Sequence, residues 1–204
     1  MVSVRRVDPE RVARKREQIV VEAARLFGTR GYERTSVADI ARAAGVSAAS
    51  VFYYFTDKAA VFRAVFERDL PVVESLIAKH VHSRTPVPAI FEVVDELAKD
   101  AADASAPGMV VELLRRAEHD PELVAVVAQT AEVVTGGLAA LIARGIADGE
   151  IDAELDPVET ARWLQAIVDA AYLNARSGYS PLPELRRTVL RYLGAHERQG
   201  DIDG

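Results

Sequence analysis

Residues 35–58 read T-S-V-A-D-I-A-R-A-A-G-V-S-A-A-S-V-F-Y-Y-F-T-D-K. The run predicts two short helices joined by a sharp turn, with a further helix opening at its end. Thr35 or Ser36 can cap the first helix, because a hydroxyl accepts from the orphan N–H groups of a first turn. Val37, Ile40, Ala41 and Ala44 recur at helical spacing and define one inward face. Gly45 stands where the chain must reverse, a place that favours positive φ. Val46 plugs the turn, Ser47 caps the second helix, and Val51 and Phe55 face inward from it. Ala41 is small enough to let the two helices cross closely. This is helix-turn-helix spacing, and the second helix of such a unit enters the DNA major groove. The stretch therefore predicts DNA binding.

Helical rhythm continues on both sides of the motif. Upstream, a helix is expected over 10–29, with Ile19, Val20, Ala23, Leu26 and Phe27 on its apolar face and Gly31 at its end. The motif helices cover 36–44 and 47–53. Asp57 caps a fourth helix carrying Val61, Phe62, Val65 and Phe66; it runs towards His82 with a kink at Pro71. Further helices are expected over 87–103, 108–119, 121–147, 157–177 and 183–193, several of them opened by Pro. The 108–119 helix follows a break at Pro107-Gly108. No strand-type alternation appears, so the fold class is all-α, with about nine helices. An N-terminal three-helix domain carrying the helix-turn-helix precedes a C-terminal helical body. Residues 1–9 read as a loose arm and the last eight as a frayed end.

Half of the 204 residues are hydrophobic, enough for a packed core. There is no cysteine, which excludes a disulfide framework and cysteine-based metal or redox sites. The first residues lack an apolar signal core, and no continuous apolar run approaches the roughly 18 residues of a membrane span. No membrane partner is expected, and the location is cytoplasmic. The formal net charge of −6 is divided unevenly. Residues 1–70 carry 13 Lys/Arg against 9 Asp/Glu, a net +4, and the remainder carries 12 against 22, a net −10. A basic module on an acidic body confines the electrostatic attraction for DNA to one part of the chain.

Three runs carry a family likeness: A-A-x-L-F-x-x-x-G-Y from Ala23, T-S-V-x-x-I-A-x-x-A-G-V-S from Thr35, and V-F-Y-Y-F-x-D-K from Val51. Together they make Ile19–Lys58 resemble the DNA-binding domain of TetR/AcrR-type transcriptional regulators. Ala59 replaces the family's usual Glu and Ala49 its usual Gly; neither breaks the motif, because Ala suits a helix interior better than Gly. The resemblance implies a homodimer that binds a double-stranded DNA operator and represses transcription until a small-molecule effector releases it. It implies a DNA-binding domain over 10–57 and an effector-binding and dimerisation domain over 58–196, with the dimer interface on the last two helices. Past the motif, A-R-W-L-Q-A-I-V-D-A-A-Y and P-E-L-R-R-T-V-L-R-Y-L match the family only in rhythm.

The residues expected at DNA are Thr35, Ser36, Arg42, Ser47, Ala48, Ser50, Tyr53, Tyr54 and Lys58. Serine hydroxyls bond base edges or phosphates, and alanine touches a thymine methyl. None offers the bidentate Arg–guanine contact, so phosphate contacts and DNA shape carry much of the specificity. Six of them have a plainer alternative: Ser47, Thr35 and Ser36 as helix caps, Tyr54 as a core aromatic, Lys58 and Arg42 as solvated cations. Phe52 and Phe55 are expected to pack inward or at the edge. A cation at the start of a helix opposes the macrodipole, and for Lys58 a phosphate supplies the reason. The cluster Arg5, Arg6, Arg11, Arg14, Lys15 and Arg16 reads as a backbone contact or as a solvated face.

In the body, polar and aromatic residues interrupting apolar helices are the ligand candidates: Asp95, Glu112, Arg115, His119, Gln129, Trp163, Tyr172 and Asn174. Each is weighed against a surface or structural role. The body's apolar lean favours a hydrophobic or amphipathic effector. His80 and His82, two apart, point to different helix faces and do not make a metal site. No cofactor is expected. Catalytic signatures such as G-x-S-x-G or H-E-x-x-H are absent from the sequence, so the chain is not expected to be an enzyme. The rival readings are a helical small-molecule-binding protein without specific DNA binding and a constitutive architectural regulator.

Overall fold

Pro9–Arg30 forms α1 in a computed structural model that describes residues 9–195. Proline suits this first turn, where its missing N–H has no helical acceptor to lose. The expected loose arm, Pro9 excepted, and the frayed end lie outside the described residues, as do Arg5 and Arg6. Next come α2 (Val37–Ala43), α3 (Ala48–Tyr54) and α4 (Lys58–Glu67). They are followed by α5 (Asp69–His80), α6 (Pro86–Ala98), α7 (Ala106–Ala117), α8 (Pro121–Ala147), α9 (Pro157–Leu173) and α10 (Leu182–Tyr192). α6 tightens into a 3-10 turn over Lys99–Ala102. Among the described residues there is no strand, and the fold is all-α.

Three departures from the sequence reading have physical causes. The helix expected to kink at Pro71 is divided between Glu67 and Asp69. Proline cannot donate to the carbonyl four residues back, which is Glu67, and its ring crowds that group, so the break falls one turn early. α9 stops at Leu173 because the Asn174 amide donates to the Ala170 carbonyl at 2.8 Å, taking the acceptor its own backbone N–H would use. The expected break at Pro107-Gly108 is the first turn of α7. Gly108 lies against α1, and a Cβ there would fall 1.9 Å from the Gly28 carbonyl oxygen. Two glycines thus let the backbones of α7 and α1 touch.

The chain divides into two compact units. One holds the described residues to Asp69 together with Pro107–Val127; the other holds Leu70–Ala106 and the described residues from Ala128. The first is built on Phe27, Tyr32 and Phe62, whose ring centroids lie 5.2–5.4 Å apart. Ile40, Ala41, Val51 and Phe55 complete that core, and Met109, Leu113 and Leu123 pack on it from α7 and α8. Arg116 of α7 stacks on Tyr32 at 3.8 Å. Asp120, 5% exposed, accepts from Arg63 of α4 at 3.0 and 3.1 Å and from the Leu123 N–H at 3.1 Å. Burial alone would lower the Arg63 pKa, but the hydrogen bonds to Asp120 and its charge, with Glu122 and Asp57, hold it above the ordinary value.

The second unit packs α6 against α9 and α10 around Ile90, Val94, Leu164 and Val189. The Tyr172 hydroxyl donates to the Leu97 carbonyl at 2.6 Å, and Arg186 forks onto Asp95. By length and mean hydropathy, 1.6 over 18 residues, α8 is apolar enough to cross a membrane, although Glu122, Gln129 and Glu132 keep its continuous apolar runs short. Its apolar side chains serve cores in both units, Leu123 in the first and Val134, Leu138, Leu141 and Ile142 in the second.

The glycines of α7 and α8 yield opposite expectations. Gly108→Ala forces two helix backbones apart and should cost about 1–3 kcal/mol. Gly136→Ala, with nothing within 4 Å of its added methyl, should stabilise by about 1 kcal/mol through helix propensity. Urea denaturation midpoints of the two variants check the contrast.

Candidate nucleic-acid interface

α2 and α3 are fixed by their ends. Gly45 adopts φ +62°. The Val46 N–H donates to the Ala41 carbonyl at 2.9 Å and the Gly45 N–H to the Arg42 carbonyl at 3.3 Å, the paired bonds of a Schellman stop. Ser47 then starts α3, its Oγ accepting from the Ser50 N–H at 3.1 Å. Ser36 and Asp39 cap α2 reciprocally, each side chain accepting from the other's backbone N–H at 3.1 Å. Hydrogen bonds from the Ser36 side chain and backbone, with a smaller contribution from the Arg42 charge, hold the Asp39 carboxyl below its usual value. Its support of the cap is therefore present above the unfolded value and lost as pH falls through the folded one.

α3 has two faces. Val51 and Phe55 are buried, and Tyr54 is half-buried against the same core. Ala48, Ala49, Phe52 and Tyr53 form the outward face, with Phe52 55% and Tyr53 69% exposed. Phe52 corrects the expectation of an inward or edge position: it stands about 100° around the helix from Val51 and cannot share its buried face. Ala49 and Phe52 were not expected at DNA, although the i, i+4 spacings Ala48–Phe52 and Ala49–Tyr53 signal this stripe. The face offers methyls, a phenyl ring and a phenol, and neither a charge nor an amide. Such a surface suits thymine methyls and groove shape better than guanine edges.

The other expected DNA residues are distributed unequally. Ser36 and Ser47 are exposed caps, and Ser50 is half-buried. Arg42 is exposed and paired with Asp39 at 3.1 Å. Thr35 is 1% exposed, its hydroxyl donating to the Gly31 carbonyl at 2.8 Å, so it locks the loop entering α2. Lys58 donates to the Tyr32 carbonyl at 2.9 Å and sits 4.0 Å from the centre of that ring. A carbonyl and a ring thus explain a cation at the start of α4 without a phosphate. Within the arginine cluster, Arg14 pairs with Glu10, and Arg16 pairs with Glu67 while lying over Phe55.

Three ligand candidates meet. Glu112, Arg115 and His119 line a cavity of about 320 Å³ in the reading unit, with Arg30, Gly31, Glu33, Arg34 and Arg116. Its wall is charged, unlike the apolar lining expected of an effector site. Gln129, Trp163 and Asn174 are exposed and Tyr172 is latched to Leu97; none of the four reaches this cavity. Asp95 lines a separate groove of about 760 Å³ between α5 and α6, with Pro71, Val72, Leu76, His80 and Glu92 among its walls. His80 there is buried 3.4 Å from Glu92, while His82 is exposed.

A sequence profile described as "Bacterial regulatory proteins, tetR family" matches residues 19–65, and "BetI-type transcriptional repressor, C-terminal" matches residues 89–196. The HTH-type transcriptional repressor ComR of Escherichia coli is 25% identical over 86% of this chain and 87% of its own length. The HTH-type transcriptional regulator TtgR of Pseudomonas putida is 28% identical over 78% of this chain and 79% of its own. A TetR transcription regulator from Haloarcula marismortui shares the fold with a TM-score of 0.73 at 24% identity, covering 89% of this chain and 97% of that one.

The outward face of α3 makes a prediction that isolates one atom group. Replacing thymine by uracil in a bound duplex removes only the C5 methyl, and each contacted methyl lost should weaken binding about fourfold. Phe52→Ala should erase most of that difference. Equal affinity of the unaltered protein for both duplexes would contradict the assignment.

Proposed function

Because this chain belongs to the TetR family of bacterial regulatory proteins and is a DNA-binding transcriptional regulator, we propose that it acts as a homodimeric repressor released by a small-molecule effector. The observation that carries this reading is the outward stripe of α3, Ala48, Ala49, Phe52 and Tyr53, exposed on a helix whose stop, cap and buried face are all satisfied within the protein. A helix held this rigidly, with its apolar side bare, is suited to a groove. Ser36, Ser47, Ser50 and Arg42 lie on the same two helices and supply phosphate and base-edge donors around it. Tyr53 carries a phenol to the backbone, and Tyr54 braces it at a ring separation of 5.0 Å.

Two copies are joined through α9 and α10. Supporting this is a line of exposed side chains on α9, Trp163, Ala166, Ala170 and Leu173, at helical spacing on one face. Two-fold symmetry then places the two α3 helices about 34 Å apart or at a multiple of it, matching a near-palindromic operator. Release is a population shift: the effector prefers a conformation in which α4 has moved, and the spacing of the heads no longer fits. α4 is a fitting lever because it packs on α1 and is tied to it by Arg16–Glu67 and Arg68–Glu17. The regulator works in the cytoplasm, where its operator lies.

Footprinting on the DNA upstream of the protein's own coding region tests this. A symmetric protected site is expected, with affinity falling steeply as salt rises. Ser47→Ala, which removes the α3 cap, should weaken the complex and cost about 1 kcal/mol of stability. Absence of any symmetric protection sinks the repressor reading.

A further inference from the structure

We propose that the cavity walled by the end of α1, the loop into α2, and α7 is an anion-binding effector site. It would take the carboxylate or phosphate group of a small molecule. As an effector site it rests on the regulatory reading above; as an anion site it rests on the cavity alone.

Four arginines line this space of about 320 Å³: Arg30 and Arg34 from the end of α1 and the following loop, Arg115 and Arg116 from α7. Among the lining residues Glu33 and Glu112 oppose them, so the wall itself carries more positive than negative charge. Glu112 is 8% exposed and engages Arg115 at 3.1 Å. Asp120 is already committed to Arg63 and to the Leu123 N–H, and reaches Arg116 only at 3.8 Å. The Nε of Arg116 is buried with no hydrogen-bond partner, and Arg30 and Arg34 have no ion-pair partner among the described residues. An oxyanion is the acceptor whose geometry matches the guanidinium fork.

The cavity is also kept open. Gly31 adopts φ +90°, and a Cβ there would come 3.1 Å from Glu112 Oε1 and 3.9 Å from the Arg34 guanidinium. The volume lies at the small end for ligand sites and suits a compact, charged molecule rather than a long apolar one. Its position gives an anion a route to the reading helices. The Gly31 carbonyl accepts from Thr35, the residue just before the α2 cap. Drawing Arg34 towards α7 therefore bears on the segment that enters α2. The operator and the anion are then linked by whatever difference in anion affinity separates free from bound protein.

Titration calorimetry of the full chain with citrate and with inorganic phosphate, at matched ionic strength, tests the site. Saturable binding of either probe is expected, and the arm that binds distinguishes a carboxylate from a phosphate. Arg30 and Arg34 are exposed, so the double variant R30Q/R34Q should fold and bind about tenfold more weakly. Glu112→Gln removes the competing negative charge and should tighten binding several-fold, an effect that a merely structural Glu112 would not produce. No saturable binding of either probe, or equal affinity in R30Q/R34Q, overturns the proposal. Operator protection without anion binding would overturn this site alone, whereas anion binding without operator protection would overturn the repressor reading and leave the anion site standing.

Discussion

Three aromatic rings and one buried carboxylate hold the reading unit together. Phe27 of α1, Tyr32 of the following loop and Phe62 of α4 meet at 5.2–5.4 Å, close enough to exclude water and to fix the angle between α1 and α4. Tyr32 is sandwiched by cations, Lys58 on the one hand and Arg116 on the other. Arg116 belongs to α7, which stands far from the motif in sequence and is nevertheless part of its core. Asp120 then binds Arg63 of α4 while capping the start of α8. Removing a partner from a buried ion pair strands the other charge, so this carboxylate specifies the docking of α7 and α8 more than it adds net stability.

Function follows from what that core leaves outside. α2 is spent on support: its box, its Schellman stop and its buried Ile40 and Ala41 all serve to aim α3. α3 gives Val51 and Phe55 to the core and keeps an apolar stripe bare. A bare phenyl on a seven-residue helix is a cost in water, and on the proposed reading a DNA groove lined with thymine methyls removes it. α7 packs on the rings of the reading unit and also lines the arginine cavity. On the proposed reading, an anion held there acts on the reading unit directly.

Local chemistry was legible in the chain and long-range contacts were not. Gly45, Ser47 and the Val51–Phe55 pair announce the motif because caps and turns are decided within a few residues. The outward face of α3 was only partly legible. Ser47, Ala48 and Tyr53 follow from the motif, while Phe52 looked like core because an aromatic is usually buried. For Lys58, the Tyr32 carbonyl that engages it lies twenty-six residues earlier, out of reach of local reading. Glu112, Arg115 and His119 stood out as polar interruptions of a helix, but their convergence with Arg30 and Arg34 depends on how α7 docks. Gly108 read as a helix break for the same reason: its contact with Gly28 exists only in the packed unit.

α7 packs into the core that carries the reading helices, so the two should open as one cooperative body and whatever binds α7 should be felt at α3. Native-state hydrogen exchange across a denaturant series measures this directly, since amides that open together share one free energy of opening. The amides of α7 are expected to open together with those of α1 and α4. Opening of α7 with α6 and α9 instead, while α1 and α4 stay protected, would contradict it.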